Sequence, residues 1–297
     1  MAVAMRINSE TCSKCGVCAT VCPDRTIEQI DDQFPGRNQA RASLCAQCGQ
    51  CMAVCPSESI HVGDLSYQRD FFAFDSSGQP ADYPAFFGLA ATRRAVRRFQ
   101  DRPVSRELLE QIVAAVALAP MAFPPHKTAV TVLSNRAAIA AMVPHVVKFY
   151  ANFMKAMGNP LIRFFIKRSA GPEHFPTLES HLVPKLAEML PAMKASGRDE
   201  ITRDAPAMIL FHAQKTAANH TQDANIALTY GLLAAHSLGL GAAANGLVPP
   251  AINGTPALRV MLHLPTDHEV VAGMIMGYPL CRYHRGVRRK LAGVAWM

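Results

Sequence analysis

The residues with the plainest chemistry in this 297-residue chain are its cysteines. They read Cys12-x-x-Cys15-x-x-Cys18-x-x-x-Cys22-Pro23 and, again, Cys45-x-x-Cys48-x-x-Cys51-x-x-x-Cys55-Pro56. Two-residue spacers let three thiolates converge on one iron–sulfur cube, and the doubled run provides for two [4Fe–4S] clusters. Zinc would take two to four ligands per group with a longer spacer. Disulfides would require an oxidising compartment. The doubled four-cysteine pattern favours clusters over both. Of the nine cysteines only Cys281 is left over, a passive thiol unless its surroundings lower its pKa.

This pattern resembles the bacterial two-cluster ferredoxins, in which the fourth cysteine of each run ligates the other cluster. The resemblance implies that Cys12, Cys15, Cys18 and Cys55 hold cluster I, and that Cys45, Cys48, Cys51 and Cys22 hold cluster II. Short β-type pieces, Met5–Ile7 and Ile60–Val62, flank the runs. In the ferredoxin pattern each run ends on a short helix, and Cys-Pro turns the chain away from the cluster. Residues 1–65 are therefore expected to form a ferredoxin-like domain. Residues 66–88 read as a linker, made more apolar than a free tether by Phe71, Phe72, Phe74, Phe86 and Phe87, with a turn at Ser76–Pro80.

Length allows two domains, and a composition that is 50% hydrophobic and 18% charged supports a sizeable core. The net charge of +8 is concentrated in short arginine clusters. One is Arg93, Arg94, Arg97 and Arg98; the other is Arg282, Arg285, Arg288, Arg289 and Lys290. Compact clusters suit a bound phosphate better than a nucleic-acid stripe, and no nucleic-acid signature is found. No apolar signal-peptide core and no uncharged run of about 18 apolar residues is found, so neither export nor a transmembrane segment is expected. Oxygen-sensitive clusters then argue for the cytoplasm.

The remaining elements must position the arginines. Ser105 can cap a helix carrying Leu109, Ile112, Val113 and Val116 at helical spacing. Thr128–Leu133, Ala207–His212 and Val270–Met276 read as strands. Residues 136–200 are mostly helical in pattern, with breaks at Gly158-Asn159-Pro160 and Gly171-Pro172. Asp223 can cap a helix through Ser237, stopped by Gly239, with Ile226, Tyr230 and Leu233 on one face. The class is α+β, with the second domain spanning 89–297.

Four stretches of that domain resemble the nitroreductase family of FMN enzymes. Arg93-Arg94-Ala95-Val96-Arg97-Arg98-Phe99 is close to the family's Arg-Arg-Ser-x-Arg-x-Phe/Tyr, with Ala95 in place of the serine. Guanidinium forks suit a phosphate bearing about two negative charges. Ala119-Pro120-Met121-Ala122-Phe123 stands where the family has Ala-Pro-Ser-Gly/Ala-x-Asn, a loop that lies along the flavin ring. Met121 and the run Pro124–Lys127 depart from that pattern. Asp204-Ala205-Pro206 precedes a strand, and Gly239–Gly246 follows a helix, as in the family. Gly277-Tyr278-Pro279 precedes Arg288-Arg289-Lys290, where the family returns a basic residue to the phosphate.

The resemblance implies a mixed sheet flanked by helices, a homodimer, and an FMN site at the subunit interface. The FMN contacts it implies are Arg93, Arg94, Ala95, Arg97, Pro120, Met121, Ala122, Arg288 and Arg289. A backbone N–H from Ala244, Asn245 or Gly246 would lie near the flavin N5 or O4. Phe123 and His126 are the candidates to face substrate. No catalytic residue is identified, and none of the eleven histidines reads as one. The apolar and basic stretch Val146–Arg168 reads as core or dimer interface, as a lid, or as a membrane-surface helix.

The expected function is an FMN-dependent oxidoreductase. Two [4Fe–4S] clusters relay electrons to or from FMN, which reduces a nitroaromatic, quinone or activated alkene. An external ferredoxin or NAD(P)H is the expected donor. One alternative is a non-catalytic electron carrier or redox sensor. Another, suggested by Ala95 and Met121, is a degenerate flavin site.

Overall fold

The computed structural model describes residues 3–74, 82–122 and 127–297. The chain forms two compact units that divide between residues 80 and 81. The division falls inside the stretch 66–88, which carries a helical turn and the start of a longer helix rather than plain coil.

The first unit is built from β1 (Met5–Ile7), α1 (Val17–Thr20), β2 (Ile27–Glu28), β3 (Gly36–Arg37), α2 (Gln50–Ala53), β4 (Ile60–Val62) and α3 (Tyr67–Asp70). β1 pairs antiparallel with β4, setting Ile7 opposite Ile60. β2 pairs antiparallel with β3, setting Ile27 opposite Arg37. Most features of one half recur in the other at the displacement that separates Cys12 from Cys45. Gly16 and Gly49 precede α1 and α2 with φ of 71° and 77°, a left-handed turn that glycine adopts without a Cβ clash. That turn sends each run straight from its second cysteine into a helix bearing its third. Cys18 and Cys51 are buried there against Ile27, Met52, Ile60 and Val62.

The second unit contains α4 (Tyr83–Thr92), α5 (Arg106–Ala117), β5 (Thr128–Leu133), α6 (Arg136–Gly158), α7 (Pro160–Thr177), α8 (Val183–Ser196) and β6 (Ala207–Gln214). It continues with α9 (His220–Ser237), β7 (Gly241–Asn245), α10 (Val248–Asn253), α11 (Pro256–Met261) and β8 (His268–Gly277). The strands form one sheet in the order β5-β6-β8-β7, each pair antiparallel. A single isolated parallel bridge from Ala95 to Ala242 lays the arginine segment along the outer side of β7, whose sheet is otherwise antiparallel.

β6 is buried on both faces, as its unbroken apolar run implies. Met208 and Leu210 join a core with α6, α8 and α10. Ala207, Ile209 and Phe211 join a second core with α5 and α9. Ser105 caps α5 by accepting from the Leu108 N–H, and Leu109, Ile112 and Val116 face inward as the spacing requires. Among the polar core residues, His212 lies with its Nδ1 2.9 Å from that of His268 and its Nε2 3.2 Å from Thr131 Oγ1. Burial, with His268 and Arg259 nearby, pushes its pKa down to about 4. The two rings form a hydrogen-bonded pair in the sheet, with the His212 imidazole held neutral.

α9 differs from its sequence reading in two ways. It starts at His220, so Asp223 lies in its first turn rather than at its cap. It also packs through Ala224, Ala227, Gly231 and Ala235, leaving Ile226 and Tyr230 exposed. The reason is distance: a Cβ on Gly231 would lie 3.2 Å from Met274 and Val116. Small residues let the helix lie close to the sheet, and the larger ones turn outward.

Within the helical insertion, Gly171 adopts φ 77° and kinks α7 where the break was expected. Leu161, Phe164 and Phe165 on α7 are exposed. α6 is, contrary to expectation, long and apolar enough by length and composition to cross a membrane. Its Ile139, Met142, Val146 and Tyr150 nevertheless belong to the core of this unit, and Tyr150 donates to the Leu247 carbonyl at 2.8 Å.

Candidate functional site

In the first unit the cysteines sort into two cavities. Cys12, Cys15, Cys18 and Cys55 line one. Cys22, Cys45, Cys48 and Cys51 line the other. Each cavity therefore draws three thiols from one run and the fourth from the other run. The cavity walls fit two clusters. Burial pushes the Cys51 thiol up to about 12, and Cys48, Cys45 and Cys22 add like-charge repulsion. Holding such crowded groups as thiolates would take a cationic metal group among them. The crossing cysteines are held by matched bonds. Thr26 N donates to Cys22 Sγ at 3.3 Å and Ser59 N to Cys55 Sγ at 3.2 Å. Such N–H···S bonds are among the features that set cluster potentials.

In the second unit the arginine segment leaves α4 at Arg93 and runs beside β7. Val96 N donates to the Ala242 carbonyl at 3.1 Å, and a Cβ on Gly241 would meet Val96 at 2.6 Å. Further on, Gln100 N donates to Tyr278 O at 2.9 Å and Leu280 N to Arg98 O at 3.0 Å. The Gly277-Tyr278-Pro279 stretch is thus zipped to the arginine segment, and the tail beyond it returns past Arg94. A Cβ on Gly286 would lie 3.1 Å from Ala91 O and 3.7 Å from Arg94 Nη2.

This crossing gathers positive charge. Burial, then Arg94 and Arg289, lower the pKa of Arg93. Arg94 donates to the Ala91 carbonyl, while its buried Nε has no partner among the described residues. Three neighbouring guanidiniums and an unpaired buried donor fit an oxyanion such as a phosphate monoester. Arg97 lies elsewhere, near Arg98 and Arg203, with Asp199 also close to Arg203 and Glu200 paired to both Arg98 and Arg203. Arg288 is exposed on the tail.

His236 was not singled out from sequence. Its Nε2 is 2.9 Å from Thr92 Oγ1, and burial, then Arg93 and Arg94, lower its pKa. It shares a cavity with Thr92, Arg94 and Gly241. Its place three residues before the helix-stopping Gly239 was the available signal.

Pro120, Met121 and Ala122 follow α5 as a short loop. Asp223 clamps it, both carboxylate oxygens accepting from Ala122 N at 3.1 and 3.0 Å. That role was missed because nothing local ties residue 223 to residue 122. Phe123 and His126 lie outside the described residues. Ala244 and Gly246, at the end of β7, are exposed, and a Cβ at Gly246 would meet nothing within 4 Å. Asn245 between them is buried. Its side chain donates to Ile201 O at 2.7 Å and accepts from Leu247 N and Val248 N at 3.0 and 3.1 Å. Asn245 therefore fixes the turn from β7 into α10 and leaves its small neighbours at the surface.

The sheet with its arginine crossing, carried on one chain with a two-cluster unit, defines an iron–sulfur flavoprotein oxidoreductase. Residues 90–278 match the nitroreductase family, and residues 11–60 match the 4Fe–4S dicluster domain. The chain belongs to the nitroreductase family and carries an N-terminal 4Fe–4S dicluster domain. Solved structures support the fold. A nitroreductase with bound FMN from Bacteroides fragilis NCTC 9343 is 16% identical, with TM-score 0.53 over 71% of this chain and 97% of its own. One with bound FMN from Desulfitobacterium hafniense DCB-2 is 18% identical, with TM-score 0.53 over the same shares, 71% and 97%. An FMN-dependent nitroreductase from Clostridium difficile R20291 is 14% identical, with TM-score 0.51 over 71% and 98%. No curated protein matches the chain.

Proposed function

We propose that this protein is an FMN oxidoreductase in which two [4Fe–4S] clusters exchange electrons with the flavin, which reduces a small organic acceptor of nitroaromatic, quinone or activated-alkene type. The observation that carries the reading is the convergence of Arg93, Arg94 and Arg289 in a nitroreductase-family unit joined to a dicluster domain. Clusters supply one-electron steps, and flavin supplies storage of two electrons and their delivery as a hydride equivalent.

The chain's own residues do the rest. Arg93, Arg94 and Arg289 would hold the FMN phosphate, with the unpartnered Arg94 Nε as one donor. Ala95 offers no hydroxyl there, so the guanidiniums carry the contact. Asp223 holds the Pro120–Ala122 loop for the flavin ring to lie along. Ala244 and Gly246, small and exposed, would leave room for the flavin ring, with a backbone N–H of Ala244, Asn245 or Gly246 as its donor. The eight cluster cysteines hold electron carriers on the same chain as the flavin, which raises their effective concentration over separate proteins. The outward Ile226 and Tyr230 on α9, with the exposed tail, suit a homodimer with the flavin at its interface. The donor is an external low-potential ferredoxin or NAD(P)H, and the compartment is the cytoplasm.

The test is an anaerobic reductive titration of the purified protein, followed by visible absorbance and EPR. The expected protein holds about eight irons and one flavin per chain. Its reduced form should pass electrons to a nitroaromatic or quinone. Eight irons with no flavin would remove the FMN reading; flavin and clusters that reduce no small acceptor would leave a protein-to-protein carrier.

A further inference from the structure

The two cluster cavities are near copies, and their differences can be read position by position. Cys18 and Cys51 are covered alike, at 8% and 9% exposed. The crossing ligands Cys22 and Cys55 accept matched backbone bonds from Thr26 and Ser59. In the paired strands the halves part. Ile60 of β4 stands opposite Ile7, while its counterpart Ile27 of β2 stands opposite Arg37. Ile7 and Ile60 line the cluster I cavity. Arg37 and Ile27 line the cluster II cavity. Arg37 therefore occupies the place that Ile7 holds in the other half. Its Nη2 is buried and has no partner among the described residues.

Neutral hydroxyls add a smaller difference of the same sense: Thr26 Oγ1 lies 3.2 Å from Cys22 Sγ, and Ser57 Oγ 3.8 Å from Cys55 Sγ. Asp24 also lines the cluster II cavity, but Arg41 Nε binds the Asp24 carbonyl at 2.6 Å and places a second guanidinium beside it. Among the described residues no charged side chain lines the cluster I cavity. Tyr67 lies near Cys55, yet its hydroxyl donates to Ile60 O at 3.0 Å and carries no charge.

Reduction adds one negative charge to a cluster already ringed by four thiolates. A nearby cation and a hydrogen bond to sulfur both favour the reduced form. We propose that Arg37 distinguishes the two clusters: its guanidinium, aimed at cluster II, holds that cluster at the higher reduction potential, so a single electron entering the unit rests there. The electron comes from an external one-electron reductant, and no proton or bond change accompanies it. The inference rests on the dicluster domain and is independent of the flavin.

The test is an EPR-monitored redox titration of the full-length protein with dithionite, resolving the two cluster midpoints. Arg37→Met should lower the higher midpoint while the lower one holds and iron stays near eight per chain. The expected fall is at least tenfold in the reduced-to-oxidised ratio at fixed potential, ~59 mV for a one-electron couple. Arg37→Lys, which keeps the charge, should recover most of it. The reciprocal Ile7→Arg should raise the lower midpoint. Two unmoved midpoints, or two that shift together, in Arg37→Met would overturn the proposal. Should Arg37→Met fail to load its iron, Ile7→Arg decides: a raised lower midpoint supports the assignment and an unmoved one overturns it. Flavin reduction is followed separately by absorbance, so loss of flavin leaves the result readable.

Discussion

In the first unit the candidate ligands are eight side chains of one type within two short runs. In the second they come from separate segments around residues 93, 121, 245 and 289, and several would act through backbone. The first arrangement concentrates its chemistry in residue identity. The second spreads it over the path of the chain, where a glycine or an alanine matters for what it leaves out. The two units should therefore fail differently. Changing one side chain should remove a cofactor outright in the first and weaken one by degrees in the second.

The largest effect should come from Cys51→Ala. It should lower iron from about eight to about four or fewer per chain, measured by iron and sulfide analysis, with flavin content unchanged. Full retention of iron would break the contrast. Next, Arg93→Ala should weaken FMN binding. A charged hydrogen bond is worth about 1.5–3 kcal/mol, so the dissociation constant should rise about 10–100-fold, read from flavin fluorescence. The smallest effect should come from Gly241→Ala, which forces a Cβ against Val96 at 2.6 Å. Overpacking of this kind costs about 1–3 kcal/mol, visible as a lower urea midpoint. A variant as stable as the parent would show that the arginine segment is free to shift from β7.

These contrasts also explain what was legible beforehand. Cysteine spacing announces a cluster because the ligands are local and chemically distinctive. The strands at 128–133 and 207–212 were legible from short, largely apolar runs, and α5 from its spacing and its serine cap. The face of α9 was misread because periodicity ranks large residues as core. Here the close approach at Gly231 favours small ones. The Asp223 clamp on Ala122 and the approach of Arg289 to Arg93 involve residues far apart in sequence. Only the fold brings them together. The family resemblance supplied Arg289 as a candidate, but nothing in the local sequence distinguished Arg97, which lies with Arg203, from Arg93.

The tail beyond Cys281 has no regular secondary structure and is exposed throughout. Arg93, by contrast, is fixed between α4 and the bridge to β7. Ordering backbone costs about 1–2 kcal/mol per residue in conformational entropy. Seating Arg289 on a phosphate must offset that cost, whereas seating Arg93 need not. At the proposed phosphate site, two guanidiniums with the same chemistry would thus differ in net worth: Arg93 would supply standing affinity, while Arg289 would contribute only the surplus left after its own chain is ordered.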